Sequence, residues 1–158
     1  MNRGNPGAVF LMFILHFAAC AGWQLWLGDP CLLVELSNTL DSASEYGIQA
    51  CLPDPSNIHN LVRAAMLVML MAAASLMVMR SRPAVSRLNA AVSALLATLL
   101  VQLLWMHLRG SLPYVLGAEA EWEYARPALT GTSICLALAA AGAWLGATLA
   151  RRRRVTIS

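Results

Sequence analysis

The sequence predicts an all-α membrane protein, a four-helix transmembrane bundle, from its composition and the lengths of its apolar stretches. Of 158 residues, 59% are apolar and only 12% are charged, whereas soluble domains are ~25% charged. A chain of this size has too small an interior to bury that much apolar surface. Four separate stretches approach the ~20 residues that a helix needs to cross a bilayer core of ~30 Å.

The predicted spans cover about residues 8–27, 61–79, 88–108 and 128–150. The second span carries one charge, Arg63, near its start, and the other three carry none. Only helices and closed barrels satisfy the backbone in lipid, and barrel strands alternate in polarity, whereas these runs are continuously apolar. The first run also resembles a signal peptide, but it continues through Trp26 and Leu27, which favours a retained span.

The segments between the spans complete a single membrane domain. They comprise outer loops at 28–60 and 109–127, an inner loop at 80–87 and a tail at 151–158. Basic residues favour the cytoplasmic side of membrane proteins. Eight of the 11 basic residues, all arginines, fall on one side of this arrangement, which predicts cytoplasmic N- and C-termini: Arg3, Arg80, Arg82, Arg87, Arg151, Arg152, Arg153 and Arg154.

The first outer loop contains Cys31 and Cys51, on the side of the membrane that is usually oxidising. A disulfide between them would close a loop of ~20 residues and contribute ~3 kcal/mol. We favour this structural role over a redox pair, because the chain lacks the C-x-x-C that lowers a thiol pKa. Residues 31–36 and 46–52 are typical of two short strands, with a helix from Leu40 as the alternative.

Among the polar residues inside the spans, the sequence singles out three as candidates: His16, Thr98 and Gln102. An intramembrane ionisable residue is a functional candidate by default. His16 lies at about the depth of Thr98, and no acidic or second histidine residue matches that depth as a relay or haem ligand would require. We therefore interpret His16 as a hydrogen-bonded packing residue. The sequence predicts no catalytic residue, metal site or cofactor, which favours a non-enzymatic protein.

Small residues mark a face on which helices can pack closely. Gly142 and Gly146 are four residues apart in the fourth span. Packing inside the chain's own bundle is the favoured interpretation, and a dimer interface is the alternative. Cys20 and Cys135 lie at similar depths, so they could meet if the first and fourth spans are neighbours.

The layout resembles the claudin superfamily, especially its short branch of peripheral myelin and epithelial membrane proteins. Trp23 and Trp26 precede Cys31, Cys51 follows in the same loop, and Arg63 begins the second span. The likeness covers the layout of the whole chain, while the 20-residue separation of the cysteines is wider than the family pattern. It implies that the tryptophans, the disulfide and Arg63 fix the fold of the first outer loop.

Three functions remain open at the level of sequence. The first is a non-enzymatic tetraspan that acts through outer loops and helix faces, in cell adhesion and junctions or as an auxiliary subunit of a membrane complex. The second is a membrane thiol-disulfide oxidoreductase that uses Cys31 and Cys51. The third is an accessory subunit of a bacterial inner-membrane complex. The predicted partners are the lipid bilayer and other membrane proteins or a second copy, and no nucleic acid is expected. The predicted location is a plasma membrane or a bacterial inner membrane.

Overall fold

A computed structural model of the chain describes residues 6–28, 58–82, 85–108, 110, 112–117 and 122–155. Its elements are α1 (Pro6–Trp23), which runs into a π-helical turn (Gln24–Gly28), α2 (Ile58–Ser81), α3 (Arg87–Leu108), the short α4 (Leu112–Leu116) and α5 (Trp122–Val155). Four segments are long and apolar enough to cross a membrane: Pro6–Trp26, Leu61–Ser81, Arg87–Leu108 and Ala128–Arg152. Over the described residues, the predicted helical architecture and the prediction of four helices long and apolar enough to span a membrane are confirmed.

The helices extend beyond some of the predicted boundaries. α5 begins at Trp122, inside the predicted second outer loop, and continues through the arginines that were expected to begin a tail. The same loop contains α4. The predicted strands around Cys31 and Cys51 lie outside the described residues.

The four long helices form a ring in which α1 and α5 each pack against both α2 and α3. α2 and α3 therefore lie diagonally across the bundle, although residues 82–86 are all that separates them along the chain. The short inner loop predicts an antiparallel hairpin of these two helices; they do run in opposite directions, but they do not pack side by side. Close packing is found instead between α2 and the glycine-containing face of α5, since small residues let two helix backbones approach.

Contacts between the helices also fix their directions. His16 and Trp23 of α1 meet Ser75 and Arg63 of α2, in that order, so these helices run antiparallel. His16 and Gln24 meet Ser93 and Gln102 of α3, so α1 and α3 run parallel. Gly142 and Gly146 meet Val68 and Ala72, so α5 runs parallel to α2. The long helices thus alternate in direction, and the starts of α1 and α3 share one end of the bundle with the ends of α2 and α5.

The described arginines near that end come from three helices and the connection between two of them. Arg80 and Arg82 lie at the end of α2, Arg87 begins α3, and Arg151 and Arg152 lie in the last turns of α5. We call this the arginine end of the bundle. Its segregation is what the positive-inside rule requires of one membrane face, and which compartment it faces stays a prediction.

Alanine dominates the interior at helical spacing, whereas large apolar side chains cover the outside. Ala90, Ala94 and Ala97 are fully buried on α3, and Ala139, Ala143 and Ala147 are fully buried on α5. Phe10, Met69 and Leu88 are each more than 60% exposed. In water such exposure would be costly, but a lipid chain is as apolar as these side chains. The pattern is therefore that of a bundle solvated by lipid.

Candidate functional site: the polar interior of the bundle

Buried residues of α1 form one stripe along the helix and bring most of the polar chemistry into the bundle. Met12, His16, Cys20 and Trp23 are all buried and recur every three or four residues, which keeps them on one helix face. Polar groups of α2 and α3 meet this stripe at successive levels. The interior polar groups therefore run from mid-bundle towards the end opposite the arginines.

His16 is the centre of a hydrogen-bonded cluster that joins three helices. Its Nδ1 lies 3.0 Å from the Ser93 hydroxyl oxygen of α3. Its Nε2 lies 2.9 Å from the Ser75 hydroxyl oxygen of α2. A neutral imidazole donates from one nitrogen and accepts at the other, so in either tautomer one serine accepts from His16 and the other donates to it. All three side chains are buried, and both ring nitrogens are satisfied.

Thr98 was expected to lie near the depth of His16, but it is not bonded to that ring. Its hydroxyl oxygen is fully buried and has no hydrogen-bond partner of good geometry among the described residues. The Cys20 side chain, one turn beyond His16, lies against Thr98, and Cys135 of α5 is close enough to interact electrostatically with Cys20. Both cysteines are free thiols. α1 and α5 lie diagonally across the ring, so the neighbouring placement under which the sequence let these two cysteines meet is not found.

At the far end of the stripe, α1 is bonded to α2 and α3. The Trp23 indole N–H donates to the backbone carbonyl of Arg63 over 2.9 Å. The Gln102 amide lies 3.4 Å from the Gln24 side-chain oxygen, with both side chains buried. Trp26, by contrast, is 84% exposed. Of the residues expected to fix the first outer loop, Trp23 and Arg63 therefore lie together, and Trp26 lies apart from them.

The glycine pair of α5 lies directly against the backbone of α2. A Cβ atom added to Gly142 would lie 2.5 Å from the Val68 carbonyl oxygen, and one added to Gly146 would overlap the carbonyl group of Ala72. Any side chain at these positions would push the two helices apart. This face is occupied inside the bundle, as the favoured interpretation expected, and is not left open for a second copy.

At the arginine end, the guanidinium of Arg87 lies over the ring of Trp144, 5.1 Å from its centroid. This cation–π contact ties the start of α3 to the last part of α5, and such contacts contribute ~0.5–1 kcal/mol at exposed sites. It places a positive charge beside a half-exposed aromatic ring, an arrangement suited to the membrane–water boundary.

The sequence did not single out Ser75, Ser93 or Gln24 as polar partners. For Ser75 and Ser93, the signal is the need of a buried imidazole for hydroxyl partners in the other spans. For Gln24, it is the need of the buried Gln102 amide for a partner. Cys31 and Cys51 lie outside the described residues. Among the residues that the structure describes, no group of three or more histidine, cysteine or acidic residues is placed to hold a metal ion.

Comparison with protein-family models, with curated proteins and with solved structures finds no match for this chain. Hydroxyl, amide and indole groups bond helix to helix, and the buried side chains of the described segments carry no carboxylate, ammonium or guanidinium group. Such an interior can fix the register of α1, α2 and α3 against one another.

Proposed function

We propose that this protein is a non-enzymatic membrane tetraspan that works by contact, as an adhesion or junction component or as an auxiliary subunit of a membrane complex. The observation that carries the proposal is the hydrogen bond from Trp23 to Arg63. It joins the helix ends that flank the longest segment between spans, residues 28–60. A loop whose two ends are held together can be presented to a partner with less loss of conformational entropy.

The interior supports the same proposal. The ring nitrogens of His16 are taken up by Ser75 and Ser93, and Gln24 pairs with Gln102. Since these groups hold the helices together, the surfaces left for a partner are the outward helix faces and the outer segments. The proposal includes cytoplasmic termini and an outer loop closed by a Cys31–Cys51 disulfide, both of which rest on the sequence.

The resemblance to the claudin superfamily becomes part of this proposal. In the resemblance, a tryptophan before the first cysteine and an arginine at the start of the second span belong to one loop framework. The Trp23 indole bonds to the backbone carbonyl of Arg63, whereas Trp26, which stands at the position of the family's motif tryptophan, is exposed; the bond therefore supports a joined loop base and not the motif itself. The bacterial accessory subunit differs in its source and partner, and identification of the source organism would separate the two.

The decisive experiment is site-specific photocrosslinking from the first outer loop in intact cells, with a photoreactive amino acid at Leu40. A contact protein is expected to give a defined crosslinked species, and Trp23→Phe is expected to reduce it several-fold by releasing the base of the loop. Trp26→Phe is the matched control, since that side chain is exposed. Crosslinks to lipid alone, or equal yields in both variants, would contradict the proposal.

One observation favours a second candidate, the membrane thiol-disulfide oxidoreductase. Cys20 and Cys135 both pack in the apolar core of the bundle, and Cys31 and Cys51 belong to the segment that follows α1. Thiol–disulfide exchange between the pairs would carry two electrons from one to the other. Thiol trapping with a maleimide reagent tests this: a mixed population of reduced and oxidised pairs that shifts with an added quinone would favour the oxidoreductase. A fixed pattern insensitive to the quinone favours the contact protein.

A further inference from the structure

A groove lies on the outward face of the bundle, between residues 6–13 of α1 and residues 89–96 of α3. Its volume is about 540 Å³, and its walls are largely apolar, with Phe10, Phe13, Val92 and Leu96 among them. Because α1 and α3 run parallel, both of its walls start at the arginine end. Seven residues of α3 extend ~10 Å, roughly two thirds of the ~15 Å depth of one leaflet of the hydrocarbon core.

The polarity of the groove changes along its length. Asn89 lies at the shallow end, in the first turn of α3, and its backbone N–H is capped by the Ser86 hydroxyl at 3.0 Å. In the part of the chain that the structure describes, no partner is found for the Asn89 side-chain amide. Deeper in the groove the walls are aliphatic and aromatic. A polar rim above an apolar trough matches a molecule with a polar head and a hydrocarbon tail.

The floor of the groove includes Ser93, the residue whose hydroxyl is bonded to Nδ1 of His16. The cluster that joins three helices is therefore separated from the outside by one side chain. Water that entered the groove could compete for the Ser93 hydroxyl, since a water bridge is enthalpically nearly as good as a direct hydrogen bond. An apolar occupant would exclude that water.

We propose that this groove is a binding site for one acyl chain of a phospholipid from the leaflet at the arginine end. The ester carbonyl accepts a hydrogen bond from the Asn89 amide, and the chain lies between Phe10, Phe13 and Leu96. The phosphate lies at the arginine end of the bundle, whose overall positive charge matches it. The site is independent of the proposed contact function and holds a lipid that stabilises the bundle.

Photolabelling tests the site. The intact protein is reconstituted in phosphatidylcholine vesicles that contain a trace of the same lipid with a diazirine on one acyl chain. Labelled residues are then mapped by peptide mass spectrometry. The expected result is labelling of residues 6–13 and 89–96 several-fold above that of equally exposed positions on α2 and α5. Uniform labelling of all outward faces would overturn the proposal.

Variants sharpen the test. Val92→Trp fills the groove and is expected to bring its labelling down to the level of the other faces. Leu100→Trp is the matched control: it adds the same ring to the same helix at a similarly exposed position outside the groove. Asn89→Leu is expected to lower the labelling about threefold, since a hydrogen bond in lipid averages ~0.6 kcal/mol.

Two further outcomes would overturn the proposal or the class of its ligand. Absence of label from the groove would show that another segment, such as residues 1–5, covers it, and this would overturn the proposal. Recovery of a bound isoprenoid quinone, and not a phospholipid, in native mass spectra of the purified protein would overturn the ligand class. If Val92→Trp fails to fold, the wild-type labelling pattern alone still confirms or refutes the site.

Discussion

Removing the two serines that flank His16 is expected to destabilise the bundle more than removing the whole polar cluster. In a variant with Ser75→Ala and Ser93→Ala, both ring nitrogens of a fully buried histidine lose the serine hydroxyls to which they are bonded. Each unsatisfied group costs about 1–3 kcal/mol, so we expect a loss of about 3 kcal/mol in the free energy of unfolding. Adding His16→Leu leaves no unpaired polar group, and we expect that variant to return to within about 1 kcal/mol of wild type.

The measurement is reversible unfolding in mixed micelles by titration with sodium dodecyl sulfate, followed by circular dichroism. Ser133→Ala is the control, because the Ser133 hydroxyl is exposed and bonds only to the Leu129 carbonyl of its own helix. Its effect should stay within about 0.5 kcal/mol. If the variant that lacks all three polar side chains is as unstable as the variant that lacks the serines alone, the loss comes from packing, and the reasoning about unpaired nitrogens is refuted.

Three further predictions use the same or simpler assays. Gly146→Ala should lower the free energy of unfolding by at least ~2 kcal/mol, since overpacking forces the two helix backbones apart. Gly131→Ala is the control: it has open space around it and should change that free energy by less than ~1 kcal/mol. Equal effects would contradict the close packing of α5 on α2. Trp144→Leu should cost ~0.5–1 kcal/mol by removing the ring beneath Arg87, and an unchanged unfolding midpoint would argue against that contact. Cys51→Ser should abolish the mobility difference between reduced and non-reduced protein on a gel, and a wild-type protein with no such difference would refute the predicted disulfide.

The existence and approximate placement of the spans could be predicted because apolar length is a direct consequence of bilayer thickness. Helix ends were less predictable. The continuation of α5 through Arg151 and Arg152 reflects good helix formers beyond the apolar core, which a prediction from hydropathy alone does not register. Its start at Trp122, ahead of Pro127, has no such explanation.

The order of helices around the ring was not predictable from connection length. A short link between α2 and α3 predicts neighbours, but α5 offers two glycines where a larger residue would hold the backbones apart. Small residues occur on several faces of these spans, so composition alone does not say which face meets which. Close packing against Val68 and Ala72 decides it.

The polar interior was predictable in kind but not in detail. His16 could be recognised as a buried, hydrogen-bonded residue, because an imidazole in lipid must find partners. Its pairing with Ser75 and Ser93, and not with Thr98, depends on helix rotation. A rotation of one residue moves a side chain by ~100° around the axis, which depth along the span does not constrain.

The most direct test of the account is the topology of the chain in its native membrane. Single cysteines introduced as Glu45→Cys and Thr156→Cys, in a background where the four native cysteines are serines, can be probed with a membrane-impermeant maleimide. We predict that the thiol at position 45 is labelled in intact cells and that the thiol at position 156 is labelled only after permeabilisation. Labelling of both from the outside, or recovery of the chain in the aqueous fraction without detergent, would contradict four lipid-solvated spans with the arginine end inside.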